Sequence, residues 1–428
     1  MESILFKNVR AVDENKDTIC DILIEYGEIR EIGKGLNVSA DRIIDGENGR
    51  LAVMPGLFDM HVHLRDPGQT HKEDIYTGCA AALAGGITGV ACMPNTTPPI
   101  DNVDTVKYIT KKAAITGVSV YPVGCITQRM EGRELYDWTA LGVRMISDDG
   151  RPVKNAELMR RALEHSTSNG LLVASHCEDL AIINGGIINK GEISEKLGVA
   201  GMDRLSEDKI TARELELAAS CKARIHICHV STKGSVELIR NAKMAGIKVS
   251  SETCPHYFTY TDKKLLSRDA DYRMNPPLRT EEDREAIING IIDGTIDCIV
   301  TDHAPHTKNE KADFLTAPNG VVGLETSLAV TLTKLYHTDK IPLDRVVQLM
   351  AVIPRKLLRI PVPNITKGTQ ADLAVVDLEK EWEVVPEKLH SKSRNTAFKG
   401  EWLKGKNVMT IANGRVRYDS LKPPAAKH

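Results

Sequence analysis

The sequence predicts an α/β protein in which a (β/α)8 barrel carries a small β-sandwich built from both chain ends. Short apolar or β-branched runs recur eight times through the middle of the chain, and stretches with helical periodicity separate most of them. Turn signals typical of hairpins occur near both ends. We therefore expect residues 1–52 and 365–428 to form the β-sandwich, and residues 53–364 to form the barrel.

The strand-like runs have the spacing that a parallel barrel requires. Consecutive parallel strands need a crossover of a dozen or more residues, usually a helix, and most of the intervals between runs are long enough for one. The runs occupy residues 56–63, 87–92, 118–123, 142–147, 171–176, 224–229, 247–253 and 296–301.

Helical periodicity is clearest after the first, fourth and seventh runs. Residues 72–84 place apolar side chains at helical spacing, and residues 155–165 are rich in helix formers. Residues 281–290 follow Thr280, a candidate N-cap with Asp283 three residues further on. These stretches are the predicted crossover helices of the barrel.

Hairpins are predicted near both chain ends. Residues 21–30 resemble a hairpin around Gly27, and the Asn413-Gly414 turn separates VMTIA at 408–412 from RVRY at 415–418, which indicates a second hairpin. Each end alone has too few strands to bury one face of a sheet. We therefore expect the two ends to pair into one small all-β unit beside the barrel.

Composition excludes several classes of function. Hydrophobic residues make up 42% and charged residues 27%, which is ordinary for a globular protein. Lys and Arg number 56 against 58 Asp and Glu, so a net charge of -2 gives no electrostatic support for a nucleic-acid or membrane partner. The nine Cys are scattered without a C-x-x-C pair, which favours a reducing, cytoplasmic location over a disulfide framework.

Two histidines separated by one residue give the first chemical signal. His61 and His63 lie at the end of the first predicted barrel strand. Side chains at i and i+2 of a strand point to the same face, so both imidazoles can reach one metal ion. Barrel enzymes build their sites at the carboxyl ends of the strands, which favours a metal site over two surface histidines.

Ligand-type residues recur at the ends of four other predicted strands. Folding alone has no use for so many ionisable groups at one mouth, because buried charges are costly unless they are paired or bind a metal. Imidazoles and carboxylates suit zinc, and about this many ligands are needed for two bridged ions. The candidates are Asp148 or Asp149 after strand four, His176 after strand five, His229 after strand six and Asp302 after strand eight.

Other polar residues are predicted at the same mouth. Arg65 directly follows the His pair, and Asn95 follows the second strand. Asn275 and His306 lie in loops at the same end of the barrel. An Arg fork and amides beside a dinuclear site indicate an anionic, amide-bearing substrate.

One nearby histidine and one nearby loop are predicted to lie outside the ligand set. His226 is offset from His229 by an odd number of residues, so we expect it to face outward toward a helix. Residues 307–318 are expected to form a flexible lid over the mouth.

The blocks that carry these residues resemble the dihydroorotase family of the amidohydrolase superfamily. Residues 55–68, PGLFDMHVHLRDPG, are similar to the family signature. The blocks MPNT, CHVST, MNPPLR and TDHAPH follow in the family's order, at 93–96, 228–232, 274–279 and 301–306. The resemblance covers nearly the whole chain and is closest to the single-polypeptide bacterial and archaeal type.

This resemblance implies a ligand set for two zinc ions. His61 and His63 would hold one ion with Asp302, and His176 and His229 would hold the other. Asp302 would also be the catalytic acid–base group.

The sequence offers two candidates for the bridge between the ions, Asp148 and Asp149. Many relatives bridge the metals with a carboxylated Lys on strand four, but residues 144–150 read RMISDDG here. The type that the chain resembles uses an Asp before Gly, which corresponds to Asp149, whereas strand alternation alone leaves Asp148 open. The implied substrate contacts are His63, Arg65, Asn95, Asn275, His306, Asn319 and Gly320.

The implied reaction is the reversible hydrolysis of the cyclic amide of (S)-dihydroorotate to N-carbamoyl-L-aspartate by a metal-bridging hydroxide. This is the third step of de novo pyrimidine biosynthesis. The rival interpretations are another cyclic amidohydrolase, such as an allantoinase or hydantoinase, and a non-catalytic scaffold for aspartate transcarbamoylase. The resemblance also implies a homodimer, and it names aspartate transcarbamoylase as the protein partner to test.

Overall fold

The protein is described by a computed structural model that covers residues 2–422. Residues 423–428, the end of the predicted C-terminal segment, lie outside the described residues. Five strands precede the barrel, and the predicted hairpin around Gly27 joins the second to the third. They are β1 (Ile4–Asp13), β2 (Lys16–Glu25), β3 (Glu28–Gly33), β4 (Arg42–Asp45) and β5 (Leu51–Pro55).

The eight predicted barrel strands are all present. A short parallel pair of further strands, Ile188–Asn189 and Gly201–Met202, is inserted between the fifth and sixth of them. In chain order the strands are β6 (Leu57–Val62), β7 (Ile87–Cys92), β8 (Ser119–Pro122), β9 (Met145–Ile146), β10 (Leu172–Ser175), β11 (Ile188–Asn189), β12 (Gly201–Met202), β13 (Ile225–Ile227), β14 (Val249–Thr253) and β15 (Cys298–Ile299).

Parallel pairing closes these strands into a barrel. Strands β6, β7 and β8 form one arc, and β9, β10, β13, β14 and β15 form the other. Single bridges from Gly124 to Ile146 and from Val62 to His303 join the arcs on both sides. The predicted (β/α)8 fold class is thereby confirmed, and the carboxyl ends of all eight strands meet at one mouth.

Helices cover the outside of the barrel. The predicted helices at 72–84, 155–165 and 281–290 correspond to the first, third and ninth helices of the structure. Asp74 and Asn155 cap the first two of these helices through their side chains, and the Asp283 carboxylate accepts a hydrogen bond from the Thr280 amide at the start of the third. The helices are α1 (Ile75–Ala84), α2 (Val103–Ala113), α3 (Ala156–Asn169), α4 (Leu180–Ile183), α5 (Glu192–Leu197), α6 (Leu205–Cys221), α7 (Lys233–Met244), α8 (Pro255–Thr259), α9 (Glu281–Asp293), α10 (Ser327–Thr331), α11 (Leu343–Val347) and α12 (Ile353–Leu358).

Three C-terminal strands complete the sheet that the N-terminal strands begin. They are β16 (Leu373–Glu383), β17 (Trp402–Ala412) and β18 (Arg415–Asp419), and β17 and β18 form the predicted hairpin at Asn413-Gly414. Strand β16 pairs antiparallel with both β5 and β17 and so joins the two chain ends in one sheet. The sequence patterns did not predict β16.

The sheet and the barrel have separate hydrophobic cores. Residues from both chain ends, among them Phe6, Ile22, Val375 and Ile411, pack into the core of the sheet. The barrel core is much larger and runs from strand interiors to the surrounding helices. The division at 52/53 and 364/365 remains a prediction. Within residues 2–422, no helix is both long and apolar enough to cross a membrane.

Candidate active site

The first two predicted ligands lie where strand β6 ends at the mouth. His61 is the penultimate residue of β6, and His63 follows the strand directly. Their ring centroids are 5.6 Å apart, and the His63 amide donates to the carbonyl of His303, which follows β15. This contact across the barrel seam fixes the backbone of His63 beside the end of the last strand.

Asp149 lies at the centre of two groups of ligand-type atoms. Its Oδ1 is 3.4 Å from His61 Nε2, 3.4 Å from His176 Nδ1 and 3.6 Å from His229 Nε2. Its Oδ2 is 3.5 Å from His63 Nε2. Within each group, His61–His63–Asp149 and Asp149–His176–His229, the ligand atoms all lie within 4.8 Å of one another. The structure therefore brings four of the predicted ligands, all histidines, together around the carboxylate of a fifth, Asp149.

The donor set fits metal ions. His61 Nε2 and Asp149 Oδ1 are buried without a hydrogen-bond partner in the described chain, and His176 Nδ1 and His229 Nε2 are only 2.8 Å apart. Buried polar atoms are normally paired, because desolvation is costly. Cations held between imidazole nitrogens and a carboxylate would satisfy these atoms, and this is a ligand combination that zinc takes.

The two neighbouring aspartates have different surroundings. Asp148 turns away from the mouth and accepts hydrogen bonds from the amides of Ile126 and Thr127 and from the Thr127 hydroxyl. Burial raises the pKa of Asp148 to about 6, although these hydrogen bonds oppose the rise. Asp149 points into the mouth instead. Both residues lie beyond the end of β9 at Ile146, so the observed backbone, and not strand alternation, resolves the pair.

Asp302 lies beside the first group. Its Oδ1 is 3.0 Å from His63 Nε2 and 3.6 Å from His61 Nε2. Burial opposes ionisation of Asp302, but His63 and His61 outweigh it and hold its pKa below the usual value. The carboxylate is therefore ionised next to both imidazoles.

Two of the predicted ligands have left-handed backbones. His229 has φ +31° and Asp302 has φ +47°, and both lie beyond the last paired residues of β13 and β15. Positive φ is unfavourable for residues other than Gly and clusters at functional sites. Here it turns each side chain inward after its strand has ended.

Asp149 and the imidazoles shift one another's protonation. Burial would raise the pKa of Asp149, but His61, His176 and His229 hold it well below its usual value. Burial disfavours the charged form of His176, yet Asp149 and Glu178 raise its pKa to about 10. The carboxylates in this cluster therefore favour positive charge on the neighbouring histidines.

Glu252 of β14 contacts His61 on the ring nitrogen that faces away from Asp149. The sequence patterns did not predict this role for Glu252. Its Oε1 lies 2.5 Å from His61 Nδ1, and its Oε2 lies 3.0 Å from His226 Nε2. Cys228 completes a third group of ligand-type atoms, but burial raises the pKa of this thiol well above its usual value, which leaves it a poor ligand. A charged residue in an otherwise buried strand was the available signal for Glu252.

The predicted outward orientation of His226 is wrong. His226 is fully buried against Glu252 and Ser250, on the same network as His61. The parity argument failed because β13 ends at Ile227 and the backbone reverses its hand at His229. The alternation of side chains holds only within a regular strand.

Glu178 supports His176 in the same way, and it too was not predicted from the sequence. Its Oε2 is 3.1 Å from His176 Nε2, which leaves Nδ1 of that ring facing Asp149. The Asn275 amide donates to the Oε1 of Glu178 at 2.9 Å. An imidazole held by an outer carboxylate is a common arrangement around protein-bound metals.

Arg65 and His306 lie side by side at the rim. Arg65 Nε donates to the carbonyl of Pro305 at 3.3 Å, and its Nη2 is 3.5 Å from His306 Nε2. His306 Nε2 also lies 2.9 Å from the carbonyl oxygen of Asn319. Burial, with Arg65 and Lys72 nearby, lowers the pKa of His306 to about 3, so this ring is neutral.

One cavity of about 260 Å³ contains the remaining predicted residues. Asn95 lines it while its Oδ1 lies 2.8 Å from His63 Nδ1. Gly320 lines it with φ +139°, and a Cβ there would lie 2.8 Å from Ala304. All seven predicted substrate contacts line this cavity: His63, Arg65, Asn95, Asn275, His306, Asn319 and Gly320.

Comparison with known families places the chain in a class of enzymes. The amidohydrolase family model matches residues 52–417, most of the chain. The chain therefore belongs to the amidohydrolase family.

Close relatives define the position of the chain within this family. A dihydroorotase from Trichlorobacter lovleyi is 46% identical over 421 residues, which is 97% of this chain and 99% of the relative. A dihydroorotase from Acetivibrio thermocellus is 47% identical, with 96% and 98% covered. Within the amidohydrolases the chain thus belongs with the dihydroorotases.

Solved structures share the fold. An L-hydantoinase from Arthrobacter aurescens superposes with a TM-score of 0.87 at 26% identity and covers 99% of this chain and 97% of its own. A dihydropyrimidinase from Brevibacillus agri reaches 0.84 at 21% identity, with 98% and 95% covered. This second likeness shows the fold alone.

Proposed function

We propose that this chain hydrolyses the cyclic amide of (S)-dihydroorotate to N-carbamoyl-L-aspartate, and closes the ring in the reverse direction, as the third step of pyrimidine synthesis. The observation that carries the proposal is the single cavity in which the Asp149-centred groups and the Arg65–His306 pair face the same space. The 46% identity with a dihydroorotase over 97% of this chain supports the choice of substrate.

Two zinc ions are the proposed cofactors. His61, His63 and Asp302 would hold one, His176 and His229 the other, with Asp149 shared by both. The support is the two groups of buried donor atoms that share the Asp149 carboxylate. Zinc in such a site lowers the pKa of water toward neutrality and polarises a carbonyl group.

Asp302 is the proposed acid–base group. Its ionised carboxylate can accept a proton from the attacking water and deliver it to the departing ring nitrogen. The position of Asp302 Oδ1 next to His63 at the mouth supports this assignment. His63, held by Asn95, would orient the carboxylate between the two transfers.

Arg65 is the proposed partner of the substrate carboxylate. Its guanidinium is buried and lies within 4.0 Å of no carboxylate in residues 2–422, so its charge is available to an anion in the cavity. Asn95, His306, Asn275, Asn319 and Gly320 would contact the ring and the same carboxylate. A planar donor fork recognises a carboxylate through two hydrogen bonds.

The decisive assay compares substrates for the purified chain. We expect hydrolysis of dihydroorotate to exceed that of hydantoin and allantoin, because neither of these rings carries the carboxylate that Arg65 would bind. Preference for hydantoin or allantoin would assign the chain to a rival cyclic amidohydrolase. Inactivity of the metal-loaded chain on all three would favour the scaffold interpretation.

Location and assembly are also proposals. Nine free Cys, eight of them buried, support a cytoplasmic location. A homodimer and binding of aspartate transcarbamoylase follow from the family resemblance, and light scattering of the chain alone and mixed with that enzyme tests them.

A further inference from the structure

The segment 307–320 borders the cavity, and internal contacts hold it down. Its last two residues, Asn319 and Gly320, line the cavity. The sequence predicts a flexible lid over 307–318, yet Phe314 and Ala317 in its middle are buried. The Arg273 guanidinium also donates to the Phe314 carbonyl.

Lys311 lies at the centre of these contacts. Its side chain is buried, and its Nζ donates to the carbonyl oxygens of Arg273, Pro318 and Gly320 at 3.2, 3.0 and 3.1 Å. An ammonium group has three hydrogens, and each has an acceptor here. No carboxylate in residues 2–422 lies within 4.0 Å of this nitrogen.

These three carbonyls connect different parts of the molecule. Pro318 and Gly320 belong to the end of the segment, whereas Arg273 lies two residues before Asn275. The Gly320 amide donates to the same Arg273 carbonyl at 2.9 Å. Lys311 therefore ties the C-terminal end of the segment to the loop after the seventh barrel strand, which carries Asn275, another cavity residue.

We infer that Lys311 is a positioning residue for the substrate: its ammonium fixes the Asn319–Gly320 backbone at the edge of the cavity. The side-chain Oδ1 of Asn319 is buried without a hydrogen-bond partner in the described residues, so this edge presents an unused acceptor. The inference rests on the proposed function, since it concerns where the ring of dihydroorotate would lie.

The charge state of Lys311 sets the assay conditions. Burial lowers its pKa to about 7, partly offset by Asp271, with Asp269, Arg273 and Lys399 nearby. The ammonium form therefore prevails at pH 6. Ring closure of N-carbamoyl-aspartate consumes a proton, so this direction is the suitable assay at that pH.

The test is a graded series at position 311. Lys311→Met keeps an unbranched apolar side chain one atom shorter than Lys and loses all three donors, and Lys311→Gln keeps two donors on a side chain as long as that of Met. We expect KM for N-carbamoyl-aspartate to rise about tenfold or more in Lys311→Met and less in Lys311→Gln, which is the size of effect expected for lost charged hydrogen bonds. kcat should stay within about threefold of the wild-type value, because a contact that is equally strong in the ground state and the transition state affects KM alone. Zinc content should stay near the wild-type value.

Lys308→Met is the matched control, since Lys308 is exposed in the same segment. Hydrogen–deuterium exchange of residues 312–320 should be faster in Lys311→Met than in the control and wild type. This readout needs no activity, so it tests the inference even if the wild-type chain fails on dihydroorotate and N-carbamoyl-aspartate, which would overturn the proposed function. The inference would be overturned if Lys311→Met had the KM and the hydrogen–deuterium exchange rate of the wild type. It would also be overturned if Lys311→Met lost both bound zinc and kcat. If Lys311→Met does not fold, the same comparison of KM and exchange rate is made between Lys311→Gln and Lys308→Met.

Discussion

At the scale of single residues, the candidate site depends on side-chain direction more than on residue type. The residue types and their positions after predicted strands identified the histidines and aspartates of the cluster. The direction of a side chain beyond a strand end depends on local φ, as at His229 and Asp302, and no local pattern predicted those values. The choice between Asp148 and Asp149 needed the backbone for the same reason.

The first prediction separates these two aspartates. Asp149→Ala should lower bound zinc from about two ions per chain to about one or fewer, because its carboxylate faces both groups. Asp148→Ala should retain about two, since Asp148 bonds the backbone of Ile126 and Thr127 instead. Elemental analysis of protein purified without chelator measures this, with circular dichroism to check folding. The reverse pattern would move the bridge to Asp148.

Asp302→Asn tests the proton transfer. Asn keeps the size of the side chain and removes its basicity, so kcat should fall by ~10²–10⁴-fold in zinc-loaded protein. Steady-state kinetics after zinc content has been matched to wild type give the comparison. Activity within tenfold of wild type would mean that another group carries the proton.

Arg65→Lys tests the substrate carboxylate. Lys retains a positive charge but loses the planar fork, so KM for dihydroorotate should rise about tenfold or more while zinc content is unchanged. Arg394→Lys, at a half-buried Arg outside the cavity, is a matched control. Loss of zinc with an unchanged KM would give Arg65 a supporting role at the metals and refute the assignment.

At the scale of elements, local signals predicted strands and hairpins but not their distant partners. The hairpins at Gly27 and Asn413-Gly414 each contain their own turn and were predicted correctly. Strand β16 pairs with β5, which is more than 300 residues away, so its role in joining the ends is not visible in its own sequence. Glu252 was missed because its partner His61 lies on a non-adjacent strand.

The contact between Glu252 of β14 and His61 of β6 leads to an element-scale prediction. Glu252→Gln removes the charge that orients His61 and should weaken zinc binding by ~10–100-fold, the usual effect of losing an outer carboxylate. Ser250→Ala is a control, because it removes only the far end of the network at His226. Competition with a chromophoric chelator measures both affinities. Equal affinities in Glu252→Gln and wild type would show that Glu252 serves folding alone.

At the scale of the whole molecule, the proposed ions would tie the barrel together. The ligand groups come from the ends of β6, β9, β10, β13 and β15, which belong to both arcs of the barrel. Among residues 2–422, one backbone bridge joins these arcs on each side. An ion bound to the His61–His63–Asp149 group would therefore add a cross-link between the arcs, where the strand pairing is weakest.

The last prediction follows from this arrangement. Removal of metal with a chelator should lower the melting temperature, and added zinc should restore it, because a ligand that binds only the folded state stabilises it by about 2.7 kcal/mol at one hundred times its Kd. Differential scanning calorimetry across a zinc titration measures the shift, with Asp149→Ala as the variant whose shift should be smaller.

Asp149 is already a carboxylate, whereas a carboxylated Lys must form from carbon dioxide. Zinc in carbon-dioxide-free buffer should therefore restore both the melting temperature and activity in full. A requirement for bicarbonate, or a melting temperature that does not respond to zinc, would contradict a metal centre built on Asp149.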